Sequence, residues 1–264
     1  MTSGPAEQYL RGAGVLVTRP RHQADALCDA IRQKGGNAIS FPVLEIRGPD
    51  DARELEQCAA ELDDLDWAIF VSANAVDKAL GYLLSRRKWP DTVGIAVIGK
   101  RSAEELHRFG LEADAQPQWE FNSEGLLALP QMHDVRGRRI VIFRGNGGRE
   151  YLAEMLRQRG ANVRYVEAYR RICPRADSSE LLKLWQSGGV DVVLINSVES
   201  LENLVEMLGR QGHSLLVKTP LIVASERIVA VAQRLGFTAP QVISASATDA
   251  AVMDALFKWK NQSD

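Results

Sequence analysis

The stretch GVLVTRP, residues 14–20, returns as RIVIFRG at residues 139–145. Each is a short apolar run that ends on an arginine and then on a residue that bends the chain, Arg19-Pro20 the first time and Arg144-Gly145 the second. A run that stays apolar instead of alternating reads as a strand buried on both faces. Beyond the first run, Ala24, Leu27 and Ile31 recur at helical spacing and Gly35-Gly36 supplies a stop. Leu152 and Leu156 answer Leu27 and Ile31 at the same offset, and Arg159-Gly160 answers Lys34-Gly35.

The correspondence runs on. DWAIFVSANAV (residues 66–76) lies opposite DVVLINSVESL (191–201), so that Asp66 and Ser72 match Asp191 and Ser197 without a gap. After one extra residue, GIAVIGKRSAEELHRFG (94–110) aligns with PLIVASERIVAVAQRLG (220–236). Such self-similarity marks an internal repeat. Apolar strands alternating with amphipathic helices imply a parallel sheet covered on both faces. The expected fold is therefore α/β, two similar doubly wound parallel-sheet domains of flavodoxin-like type. A length of 264 residues fits two modest domains better than one large core.

Composition narrows the function. With 45% apolar and 25% charged residues the chain is that of a globular enzyme or binding protein, and a net charge of -2 argues against nucleic acid as a partner. The opening MTSGPAEQYLRG lacks a basic start followed by an apolar stretch, and no run approaches the ~18 apolar residues that span a bilayer. These features predict a cytoplasmic protein with no membrane association. Cys28, Cys58 and Cys173 are odd in number and far apart, which speaks against a disulfide framework. The four histidines have no paired ligand spacing, so no metal is expected.

In doubly wound sheets ligands bind beyond the carboxyl ends of the strands. Thr18-Arg19-Pro20, Ser72-Ala73-Asn74, the Gly99 to Ser102 turn, the Arg144 to Gly148 turn, Asn196-Ser197 and Ala224-Ser225 all fall there. Helix starts in such loops offer free backbone amides and a positive dipole end to anions. Serine and asparagine at these places also serve as ordinary helix caps. The glycines match neither GxGxxG nor GxxxxGK[ST], which argues against a nucleotide. Eleven arginines against three acids, Glu150, Glu154 and Glu167, lie between residues 136 and 175. Arg19 and Arg144, repeated at strand ends, suit a polyanionic, carboxylated ligand. In VRYVEAYRRICP (163–174) the even spacing of Tyr165 and Tyr169 predicts that both rings share one strand face. Leu44 stands opposite Tyr169 in the other half, so the symmetry breaks at a phenol able to donate a proton.

VLVTRP, FPVLEI, VSANAV, VIGKRSAEEL, RGNGGREYLAEMLRQRGANVRYVEAYRR and INSVESLENL, in this order and spacing, resemble the uroporphyrinogen-III synthase family over nearly the whole chain. The resemblance implies a bilobed protein with a central cleft: one discontinuous domain of residues 1–40 and 172–264, an inserted domain of 47–164, and connector strands at 41–46 and 165–171. Repetition alone would have suggested a tandem cut near residue 130. The implied reaction is cofactor-free cyclisation of hydroxymethylbilane, a linear tetrapyrrole with eight carboxylates, with loss of water and inversion of the last ring. It belongs to heme, siroheme and cobalamin biosynthesis. By the same resemblance Tyr169 is the catalytic acid, and Thr18, Arg19, Ser72, Asn74, Ser102, Arg144, Gly145, Ser197 and Ser225 hold the substrate. A monomer is implied, its substrate handed over by the preceding enzyme. One departure is Ile228, which stands where the second-half loop of the family often carries a hydroxyl. A non-catalytic bilobed binding or sensor protein, and a nucleotide-sugar transferase without its diphosphate loop, are the rival readings.

Overall fold

The computed structural model describes residues 8–263. Residues 1–7, which carry most of the argument against a leader, lie outside that range. In chain order the elements begin with β1 (Gly14–Val17), α1 (Arg21–Gln33), β2 (Asn37–Ser40) and β3 (Glu45–Arg47). There follow α2 (Arg53–Ala60), β4 (Trp67–Phe70), α3 (Ala73–Leu84), β5 (Gly94–Val97), α4 (Lys100–Arg108) and α5 (Ser123–Leu127). Next come β6 (Arg139–Gly145), α6 (Tyr151–Gln158), β7 (Asn162–Ile172), α7 (Ser179–Gln186), β8 (Val192–Ile195) and α8 (Val198–Leu216). The last are β9 (Leu221–Val223), α9 (Glu226–Arg234), β10 (Gln241–Ile243) and α10 (Asp249–Ser263).

The chain divides into two compact units: one takes the residues up to Glu45 and from Ile172 onward, the other Ile46–Arg171. The first unit holds a five-stranded sheet in the order β10-β9-β8-β1-β2, its neighbours all parallel. The second holds the order β3-β7-β6-β4-β5, with β7-β6-β4-β5 parallel. Residues 41–44 are not strand, and 165–171 are the C-terminal part of β7, hydrogen-bonded within the sheet of the second unit.

Both faces of each sheet are covered, and successive strand residues feed opposite cores as the period of two demands. In the first unit Val15 and Val17 join α1 and α10 around Leu27, Ile31 and Trp259, while Leu16 joins α8 and α9 around Leu204 and Val231. In the second, Val141 and Phe143 face α2 and α3, while Ile140 and Ile142 face α5 and α6. Phe143 stacks on Phe70 at 4.8 Å between ring centres.

The two repeats are exchanged between the units. The opening β1-α1-β2 of the first repeat lies beside β8, β9 and β10 of the second, and β6-α6-β7 of the second lies beside β4 and β5 of the first. Parallel bridging of Ala115 to Ala96 supplies the counterpart of β10 beside β5. Equivalent aspartates fasten both junctions: Gly14 N donates to Asp191 at 2.7 Å, and Arg139 N to Asp66 at 2.8 Å.

Candidate functional site

In the second unit the C-terminal ends of β4, β6 and β7 bring together Ser72, Gly145 and Tyr169. Tyr169 Oη and Ser72 Oγ share a hydrogen bond of 3.1 Å, and the Arg171 guanidinium donates to the same phenol oxygen at 3.4 Å. Ser72 is also the N-cap of α3, accepting from Ala75 N at 3.2 Å. Its hydroxyl therefore has a fixed place before it meets the phenol.

The Tyr169 ring is only 2% exposed and belongs to the core with Phe70, Phe143 and Val166. Here the structure corrects the sequence reading. Tyr165 packs with Ile140, Ile142 and Leu152 on the other face of the sheet. The register with β6 shifts between Arg144 and Gly145, pairing Arg144 with Glu167 but Gly145 with Tyr169, so Ala168 is an extra residue. One inserted residue reverses strand parity and sends Tyr169 to the face opposite Tyr165.

Gly145 is explained by that ring. A Cβ on it would lie 2.7 Å from Tyr169 Cε2 and Cζ and 3.1 Å from Oη, so only glycine lets the tyrosine cross the strand end. Asn146, absent from the residues singled out by sequence, ties the two strands together. Its backbone N donates to the Tyr169 carbonyl at 3.0 Å, and its side-chain oxygen accepts from Arg171 N at 3.0 Å. Gly147 and Gly148 then take φ of 74° and 132°, values that side-chain-bearing residues rarely adopt.

Arg144 does not extend freely from its strand. It pairs with Glu150 at 2.6 Å and lies 3.6 Å from the centre of the Tyr165 ring. Hydrogen bonding from Arg144 holds the Glu150 carboxyl below its ordinary range, whereas burial, with Glu150 nearby, pushes the Tyr165 phenol up. Asn74, second residue of α3, and Ser102, third residue of α4, have no side-chain hydrogen bond among the described residues.

The first unit builds a parallel arrangement. Ser197 caps α8, accepting from Ser200 N at 3.0 Å, as Ser72 caps α3. Thr18 donates to the Leu194 carbonyl at 2.6 Å, which fastens β1 to β8. Arg19, 7% exposed, is ion-paired with Asp249 and donates to the Ala247 carbonyl at 2.8 Å. The loop from Ser244 to Asp249 is thus part of this strand-end cluster, and it lies outside the repeat on which the sequence argument relied. Ser225 stands at the start of α9 without a capping bond, and Ile228 is buried in the core.

Both repeated arginines are neutralised by acids of their own unit, so the excess positive charge lies elsewhere. The first turns of α1, α3 and α4 contain no acid. Arg21 opens α1, Lys100 and Arg101 open α4, and Arg227 is the second residue of α9. Arg21, Arg101 and Arg227 are exposed and have no charged partner among the described residues. Cations at a helix N-terminus oppose the dipole, which normally favours acids there. Such placement makes the strand ends strongly attractive to anions. Among the described residues no group of three or more His, Cys, Asp or Glu is placed to hold a metal ion, and no helix is long and apolar enough to cross a membrane.

Residues 25–254 match the family profile described as Uroporphyrinogen-III synthase HemD. The chain is 34% identical over 239 residues to the uroporphyrinogen-III synthase of Escherichia coli K12, which covers 89% of this chain and 97% of the relative. It is 33% identical over 207 residues to that of Synechococcus elongatus, covering 77% of each. Among solved structures, a mutant uroporphyrinogen III synthase of Thermus thermophilus matches with a TM-score of 0.57 at 18% identity, over 96% of this chain and 100% of the other. The Helicobacter pylori enzyme also gives 0.57, at 9% identity over the same shares. The two structures bear on the fold, and the sequence matches over most of the chain show that it belongs to the uroporphyrinogen-III synthase family.

Proposed function

We propose that this chain cyclises hydroxymethylbilane to uroporphyrinogen III, with Tyr169 supplying the proton on which the hydroxyl departs. The observation that carries the assignment of roles is the hydrogen bond of 3.1 Å between Tyr169 Oη and Ser72 Oγ, beside the Arg171 guanidinium at 3.4 Å. The C–O bond of the hydroxymethyl group breaks as the oxygen takes a proton and leaves as water. The electron-poor methylene carbon is then attacked by the substituted carbon of the terminal pyrrole. A spiro intermediate forms and reopens with the ring inverted, and the closing carbon finally loses a proton, so that the balance is one bilane to one macrocycle and one water. Ser72 holds the phenol in direction, and the Arg171 guanidinium, also from β7, meets the same oxygen.

Left in water the same bilane closes without inversion, so the protein's larger task is geometric. Backbone amides and unpartnered cations at the starts of α1, α4 and α9 take the substrate carboxylates, with Asn74, Ser102, Ser197 and Ser225 as polar contacts. In this role Thr18, Arg19 and Arg144 build the loops, and their reach to the ligand is through the amides they order. The protein acts in the cytoplasm as a monomer and receives the bilane from the enzyme that makes it. Freshly made hydroxymethylbilane tests the reading, because the isomer formed separates turnover from mere binding: a binding module returns only the uninverted macrocycle. Tyr169→Phe should lower turnover about 10²–10⁴-fold with affinity nearly intact.

A further inference from the structure

Trp119 is 87% exposed and Phe121 42%, although a large apolar side chain in water is a standing cost. They are not on a loose tail. On the side before them, Asp114 accepts from Ile95 N at 2.8 Å and Val97 N donates to the Ala115 carbonyl at 3.0 Å, holding the chain along β5. On the side after them, Asn122 caps α5 by accepting from Gly125 N at 2.7 Å, and Leu126 and Leu127 are buried. Because Ala115 runs parallel to β5, the segment between these anchors leaves from the carboxyl end of the sheet. The Lys100 ammonium lies 5.3 Å from the centre of the Phe121 ring, which places Phe121 beside the first turn of α4, where Arg101 has no charged partner among the described residues.

Exposed aromatic rings on a segment anchored at both ends, one of them beside Lys100, match a ligand that carries carboxylates on flat, electron-rich rings. We infer that Trp119 and Phe121 form a stacking lip of the second unit, against which one pyrrole ring of the tetrapyrrole lies while Lys100 and Arg101 take its carboxylates. The inference rests on the proposed function for the identity of the substrate. It concerns binding and ring orientation, and assigns neither residue a part in proton transfer.

The test compares wild type, Trp119→Ala, Trp119→Phe and Phe121→Leu by kcat, KM and product isomer with fresh hydroxymethylbilane. In parallel, uroporphyrin III, a stable octacarboxylate macrocycle, is titrated by calorimetry. Aromatic stacking on one ring corresponds to about a fivefold to hundredfold change in affinity. Trp119→Ala should raise KM and weaken uroporphyrin binding within that range, with kcat changed less than about threefold, and Trp119→Phe should recover most of the loss. Unchanged KM and unchanged uroporphyrin affinity in Trp119→Ala overturn the lip while wild-type formation of the inverted isomer leaves the proposed function standing. Wild type that yields only the uninverted isomer removes the proposed function, and the uroporphyrin titration still decides the lip. Wild type that fails to bind uroporphyrin overturns the lip as well.

Discussion

Gly145→Ala isolates the placement of Tyr169 from its chemistry. The backbone at Gly145 does not have the positive φ that favours glycine, so alanine is not resisted by the chain's own conformation. Its cost is the collision of the new methyl with Tyr169 Cε2 and Cζ at 2.7 Å. Ordinary carbon contacts begin near 3.4 Å, so the ring or the strand end must shift by roughly 0.7 Å. The Ser72 hydrogen bond already measures 3.1 Å, and a shift of that size breaks it. With the ring embedded in the core, overpacking should cost about 1–3 kcal/mol of stability, read from urea unfolding. Misplacement of the acid should cost about tenfold to a hundredfold in kcat, read by chromatography of the oxidised product isomers. The double variant Gly145→Ala, Tyr169→Phe should turn over no more than about twofold more slowly than Tyr169→Phe alone, because both changes act on one hydroxyl. Full activity in Gly145→Ala, or losses that simply multiply in the double variant, would refute the argument that Gly145 serves the tyrosine.

Gly14→Ala should destabilise the first unit by about 3 kcal/mol or prevent its folding, since a Cβ there would lie 1.9 Å from the Gly189 carbonyl oxygen; an unchanged denaturation midpoint would show that the loop yields freely. For Arg144→Ala the expected loss of stability depends on pH. Because Arg144 holds Glu150 below its ordinary range, their pairing contributes above the unfolded carboxylate range and fades as pH falls through the lower folded value, so unfolding curves of variant and parent should converge toward pH 3. Equal differences at pH 3 and pH 7 would assign the loss to packing on Tyr165 alone. Native thiol titration at pH 8 should leave Cys58 unreactive, since it is fully buried and burial pushes its thiol up to about 11; rapid labelling without denaturant would contradict that.

The repeat, the strand-and-helix alternation and the strand-end loops were legible in the chain because each rests on short-range periodicity. Val15 to Val17 and Ile140 to Phe143 are apolar without interruption, and that alone implies a strand buried on both faces. Ser72 and Ser197 were readable as helix starts for an equally local reason. The sharing of the repeats was not legible locally. β1 and β6 are nearly interchangeable as strands, yet β1 lies beside β8 and β6 beside β4. Steric detail distinguishes them: the Gly189 carbonyl leaves no room for any side chain at the first position of β1, where Gly14 fits and the matching Arg139 of β6 would not. The direction of Tyr169 was beyond the sequence in the same way. Counting by twos put it with Tyr165, and only the pairing of β7 with β6 reveals the extra residue that turns it to the other face. The partner of Arg19 likewise required the fold, since Asp249 lies 230 residues from it and ion pairing depends on distance in space. Periodicity along one chain fixes which face a residue can take, whereas pairing between strands decides which face it does take.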